Sequence, residues 1–372
     1  MKSDDFSTFR KWLSNNTEFS SKVITDTVSR LRRLDSIKPL RTDLSSEDYL
    51  VDLKGMKVNT NDYVYPSIEV DHLTTGEYQL TDTSLSHLCN RLEIGTRYIS
   101  KCLPVSQELV THNLNFWINN SKEKELMLRT YDMQPINEVR AIMSNRYKRI
   151  DNDVVANSTL EKLMDMNAEL KYAHYDRDTL NITAVLPKLE GEVVEGDVVQ
   201  GGITITNSEI GGGSLIVKPF IYRLVCTNGM VAPEYLNQFY AKHVGKMIID
   251  VEQDDQWKTI VDKMGQQLEL VSNPELFQEN VEKLKQATQD KINSHQVEVL
   301  AKKHGLSDDE RAGVFERLNH YVGETFVTSK YDVANAITNI ANDESKSDDR
   351  ARFLQELGGL VIFSNNPISA RI

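Results

Sequence analysis

Arg140, Arg146, Tyr147, Lys148 and Arg149 place four cations and an aromatic ring within ten positions. Guanidinium and ammonium groups neutralise phosphates and a ring can stack on a base, so this stretch is the best candidate for a single-stranded nucleic-acid contact. Arg129, Lys218 and Arg223, on neighbouring strand-like segments, extend that candidate set. Strand alternation puts Val139, Ala141 and Met143 on one face, with Arg140 and Ile142 on the other. The competing account is structural: a charged strand end that pairs with Asp151 and Asp153 just downstream.

A second candidate is the segment Asn207-Ser208-Glu209-Ile210-Gly211-Gly212-Gly213-Ser214, between two apolar runs. Consecutive glycines can turn backbone N–H groups towards an anion such as phosphate, which makes Gly211, Gly212 and Gly213 a candidate anion-binding loop. The same glycines also suit a flexible hairpin loop or bulge. It is not a P-loop, because Lys218 is too far from the glycines and no helix start follows. Glu209 with Asp176 or Asp178 would make a metal pair only if their strands met, and no spacing requires that. No metal and no other cofactor is expected. The histidines are scattered without the paired spacing of a zinc helix, and no serine or cysteine sits in a nucleophile-elbow sequence. With no catalytic residues to name, an enzyme acting on nucleotides or nucleic acid is a third reading.

The elements that must position these residues are legible in outline. Residues 1–41 have helical apolar spacing at Phe19, Val23, Val28, Leu31 and Leu34, with Arg30, Arg32 and Arg33 at the end where cations suit the helix dipole. Thr81 and Asp82 are good caps before Leu85 and Leu88, and Pro104 opens a further helix carrying Leu109 to Trp117. Strands are predicted over Leu126–Tyr131, Glu138–Met143, Glu169–Tyr175, Leu180–Leu186, Gly202–Thr206 and Ser214–Cys226. A helix capped by Asp151 or Asn152 interrupts them, and Asn228-Gly229 signals a turn after the last. Beyond Pro233 the periodicity becomes helical. Ser272 with Glu275, and Ser307 with Glu310, have capping-box spacing, and Gly358-Gly359 closes the last helix. The fold class expected is α+β, a mixed or antiparallel sheet core with flanking helices and a helical C-terminal domain. The expected division is an N-terminal helical segment over 1–45, an α+β core over 46–235 and the helical domain over 236–372.

Composition bounds the function. The chain has 372 residues, 40% hydrophobic and 26% charged, an ordinary globular mixture. It shows no secretory signal, and no window approaches the roughly 18 apolar residues of a membrane span. Three cysteines without ligand spacing fit a reducing cytoplasm. A net charge of −12 argues against a surface that grips nucleic acid everywhere, yet charge is uneven. Residues 1–41 carry nine Lys or Arg against five Asp or Glu, and residues 129–149 carry five against two.

Arg140-Ala-Ile-Met-Ser-Asn-Arg-Tyr-Lys-Arg-Ile-Asp-Asn152 resembles a signature of the phage/plasmid-like proteins grouped as domain of unknown function 932. Asn207-Ser-Glu-Ile-Gly211, Arg223-Leu-Val-Cys-Thr-Asn-Gly-Met230 and Tyr331-Asp-Val-Ala-Asn-Ala-Ile-Thr338 are similar to that family too. The likeness runs from about Tyr78 to Pro233 and more loosely to about Leu360. It implies a gene carried by phages, plasmids or prophages, and work in DNA replication, recombination or conflict with host defences. It supplies no catalytic residues. The expected function is a non-catalytic factor that binds or anneals single-stranded nucleic acid in the host cytoplasm and oligomerises along the strand. The alternative is a protein–protein module, a host-defence inhibitor or phage scaffold. No membrane partner is expected.

Overall fold

Two stretches of alternating apolar residues build two separate sheets, and a computed structural model gives their arrangement. It describes residues 45–59, 65–70, 77–122, 125–132, 137–147, 150–175, 179–224, 228–231, 239–241, 253–343 and 345–370. The helices expected in 1–41 lie outside the described residues.

The first sheet contains β1 (Ser45–Asp52), β2 (Met56–Asn59), β3 (Ser67–Val70), β4 (Tyr78–Leu80), β5 (Glu125–Asp132) and β6 (Asn137–Ser144). Its order is β1-β5-β6-β4-β3-β2, with β4 and β6 parallel and the other pairs antiparallel. A flat sheet of this order would hold β1 and β2 roughly 24 Å apart, from five strand spacings. Only Leu53–Gly55 joins them, and that link reaches about 15 Å at most. The sheet therefore curls around its own core. Three helices fill the curl: α1 (Asp82–Arg91), α2 (Thr96–Cys102) and α3 (Gln107–Asn120). Val110, Leu114 and Ile118 of α3 recur at helical spacing and pack with Leu88, Ile68 and Leu128. Thr81 caps α1 in a capping box with Ser84. Pro104 falls in the turn before α3, whose cap is Ser106.

The second sheet is antiparallel: β7 (Glu169–Tyr175), β8 (Thr179–Glu192), β9 (Val198–Ser208), β10 (Leu215–Arg223), β11 (Asn228–Val231) and β12 (Phe239–Ala241). The register pairs Arg223 with Asn228, so the chain reverses before Asn228-Gly229 rather than at it. Helix α4 (Asn152–Asp165) lies between the sheets in sequence and packs on β8 and β9. The C-terminal part adds α5 (Gln253–Val271), α6 (Pro274–Gln289), the β13 (Lys291–Asn293) and β14 (Val327–Ser329) pair, α7 (Ser294–Lys303), α8 (Asp308–Arg317), α9 (Lys330–Ile340) and α10 (Asp348–Phe363). The cap of α6 is Asn273, one residue after the expected Ser272, while Ser307 and Glu310 do form a capping box on α8.

The architecture is α+β with a helical C-terminal region. One hydrophobic core runs from Ile150 to Ile362 and joins the second sheet to the C-terminal helices, crossing the boundary expected near 235. The apolar stripes of these helices need a surface to bury, and the sheet provides it. The first sheet with α1–α3 has its own core. Helix α10 also continues through Gly358-Gly359 instead of stopping there. A Cβ on Gly358 would overlap Thr338 Cγ2, so the glycine serves the close approach of α9 and α10 rather than a helix end.

Candidate nucleic-acid interface over a buried charge network

Strand β6 carries one residue more than its partner. Arg129 pairs with Ala141 and Thr130 with Val139, which leaves Arg140 as the extra residue of a β-bulge. A bulge shifts the alternation by one position. Val139 and Ile142 accordingly pack together in the first core, while Ala141 and Met143 join Met127 and Tyr147 in a cluster on the other face. Arg140 reaches out from that second face beside Arg129, so the expected pairing of Arg140 with Ile142 does not hold.

Both guanidiniums converge on the turn after β9. Arg129 Nη1 donates to the Glu209 carbonyl oxygen at 2.8 Å, and its Nη2 donates to Asp151 Oδ1 at 2.6 Å. Arg140 Nη1 donates to Glu209 Oε2 and, at 3.0 Å, to the Tyr131 hydroxyl, with the Tyr131 ring 4.6 Å beneath the guanidinium. The other Glu209 carboxylate oxygen accepts the Asn152 backbone N–H at 2.6 Å, at the start of α4. A helix N-terminus favours such an anion. Asn207 Nδ2 donates at 2.8 Å both to the Ile150 carbonyl and to Asn152 Oδ1. Asp151 stands at the cap position of α4, but its carboxylate is turned to Arg129 instead of the helix.

Burial pushes the Glu209 carboxyl upward, against the pull of Arg140 and Arg129. Burial draws the Arg140 guanidinium down, yet the adjoining Glu209 carboxylate and Tyr131 together oppose it and the net shift is upward. Burial likewise raises the Tyr147 phenol, which donates to the Glu209 carbonyl at 3.0 Å.

This geometry redistributes the expected contact residues. Arg129 and Arg140 are each 2% exposed and Tyr147 is 4% exposed, so none of the three offers its side chain to a strand from outside. Lys218 is tied to Glu356 of α10 at 2.8 Å. Arg223 makes a two-pronged pair with Asp197 at 2.6 and 2.7 Å, and Tyr331 of α9 donates to the same carboxylate at 2.9 Å. These cations fasten helices to the second sheet. Of the described cationic and aromatic candidates Arg146 is the exposed one, while the side chains of Lys148 and Arg149 lie outside the described residues.

The glycine loop stands next to that basic segment. Gly211 has φ +79, a backbone state that favours glycine, and a Cβ there would lie 2.8 Å from Met143 Cε and 4.0 Å from the Tyr147 ring. Gly211, Gly212 and Gly213 are exposed, and the Gly212 N–H donates to Ser208 Oγ at 3.2 Å. Glu209 is thus a partner for arginine. Asp176 and Asp178, its expected companions at a metal, lie outside the described residues. Among the described residues no group of three or more His, Cys, Asp or Glu side chains is placed to hold a metal ion. No described helix is long and apolar enough to cross a membrane.

The profile of the family described as Domain of unknown function (DUF932) matches residues 140–348, more than half of the chain. The chain belongs to the DUF932 family. No curated protein and no solved structure matches it. The DUF932 segment begins at Arg140 and holds Tyr147, Asp151, Asn152, Asn207 and Glu209, whereas Arg129 and Tyr131 precede it. The network therefore joins the DUF932 segment to β5, which comes before it. The sequence marks Asn152, Asn207 and Glu209 as a helix cap and a glycine-loop segment, but not as members of a network with arginine.

Proposed function

We propose that this DUF932 protein is a non-catalytic factor that binds single-stranded nucleic acid through the basic segment at 146–149 and the neighbouring Gly211–Gly213 loop. One juxtaposition carries the reading: the exposed Gly211, 65 positions from the exposed Arg146, approaches the buried ring of Tyr147, the residue next to Arg146. A cation near an exposed glycine backbone is a chemistry suited to phosphate. Tyr147 then holds the two segments together instead of stacking on a base. Assembly along a strand, a phage or plasmid setting and work in replication or recombination in the cytoplasm belong to the same proposal, and rest on the family resemblance.

A salt titration of binding to a labelled oligodeoxythymidylate tests it. Arg146→Ala should weaken binding and flatten the logarithmic salt dependence by about 0.7, the loss of one phosphate contact on a single strand. Adding Lys148→Ala and Arg149→Ala should flatten it further. No binding by the unmodified protein at low salt, where the electrostatic attraction is strongest, would overturn the proposal.

A further inference from the structure

Helices α2 and α3 bury Ile99, Val110, Leu114 and Ile118, yet their outer face is also rich in rings. Tyr98 is 49% exposed, Phe116 50% and Trp117 42%, unusual values for large aromatic side chains. His112 and Phe116, one helical turn apart, are stacked at 6.4 Å, and Phe116 meets Trp117 edge-on at 5.4 Å. Helix α2, which carries Tyr98, packs directly against α3. Arg97 and Lys101 flank Tyr98 at helical spacing on α2 and are exposed. Residues 91–122 carry four Lys or Arg against two Asp or Glu, a local excess of cations on a chain of net charge −12.

We infer that this face is a base-stacking platform for single-stranded nucleic acid, with Tyr98, His112, Phe116 and Trp117 meeting bases while Arg97 and Lys101 meet the backbone. Charge complementarity selects the occupant, since rings bordered by cations suit a polyanion with flat bases. The inference rests on the nucleic-acid reading above but concerns a different surface, outside the DUF932 segment.

The test uses the full chain with Trp117 as sole tryptophan, through Trp12→Phe and Trp257→Phe, and the same oligodeoxythymidylate. Binding should quench Trp117 emission, because a stacked base deactivates the excited indole. Phe116→Ala and Trp117→Ala should each weaken binding by roughly 5- to 150-fold and leave the salt slope unchanged, since stacking releases no counterions. Both side chains are half exposed, so the melting temperature should hold. Quenching in the sole-tryptophan protein decides the matter if a variant melts early. Binding that depends on Arg146 but leaves Trp117 emission and the two alanine variants unaffected would overturn the platform and spare the proposed function. No binding at low salt would overturn both. Emission that changes with protein concentration and not with oligonucleotide would assign the face to contact between copies, and would also overturn the platform.

Discussion

Arg140 and Glu209, 69 positions apart, form a buried ion pair where the two sheets meet. The pair joins the bulge of β6 to the turn after β9, beneath the surface proposed to bind phosphate. Removing one member leaves a charge without its partner in a place water does not reach. Glu209→Gln or Arg140→Met should each cost about 3–5 kcal/mol in urea unfolding. The double variant should cost clearly less than the two losses added, because neither charge then remains. Simple additivity would mean that the pair is not the tie between the sheets.

Acid should expose a different network. The Arg350 guanidinium, with the Ser307 backbone N–H and Lys346, holds the Glu310 carboxyl down to about 2 from its ordinary 4.5. The folded state therefore binds fewer protons here than the unfolded chain. Its contribution is fully present above about 4.5 and is lost as pH falls towards about 2. Glu310→Gln should lower stability by roughly 2–3 kcal/mol near neutrality, with the gap to the unmodified protein closing across that acid window. A gap independent of pH would show that ionisation is not the source.

Gly358 offers a test of the α9–α10 approach. Alanine in a helix interior ordinarily gains about 1 kcal/mol over glycine. Here the added methyl meets Thr338 Cγ2 and comes within 3.1 Å of the Ala334 carbonyl oxygen. Overpacking of roughly 1–3 kcal/mol should win, so Gly358→Ala is expected to melt earlier. Adding Thr338→Ser removes the opposing methyl and should recover much of the loss. A more stable single variant would contradict the close approach.

At the edge of β2, Asn115 of α3 stands against Val58. Asn115 accepts the Val58 N–H at 2.8 Å and donates to the Val58 carbonyl at 2.9 Å. Asn115→Ala should cost about 1–3 kcal/mol by leaving two backbone groups without this partner. It should also raise concentration-dependent association, visible by light scattering, because a bare strand edge can pair with another chain. Asn115→Asp keeps only the acceptor and should fall between.

Several elements were determined by sequence alone, because their causes are local. Alternation marked β5, β6 and β7 to within a residue or two. Capping chemistry placed the starts of α1 at Thr81 and α8 at Ser307, where a side chain satisfies N–H groups within three residues of itself. The basic segment and the glycine loop were each visible as composition. Tertiary structure decided the rest. Register is a relation between strands, so the bulge at Arg140 and the face it selects cannot be read from β6 alone. Burial depends on what packs above a residue, which is why Arg129, Arg140 and Tyr147 resemble surface contacts in sequence and lie inside the fold. Gly358 looks like part of a helix end, yet the neighbouring helix sets its role. Glu209 could be noticed in the sequence as an acid beside glycines, but only the meeting of two sheets made it a partner for arginine.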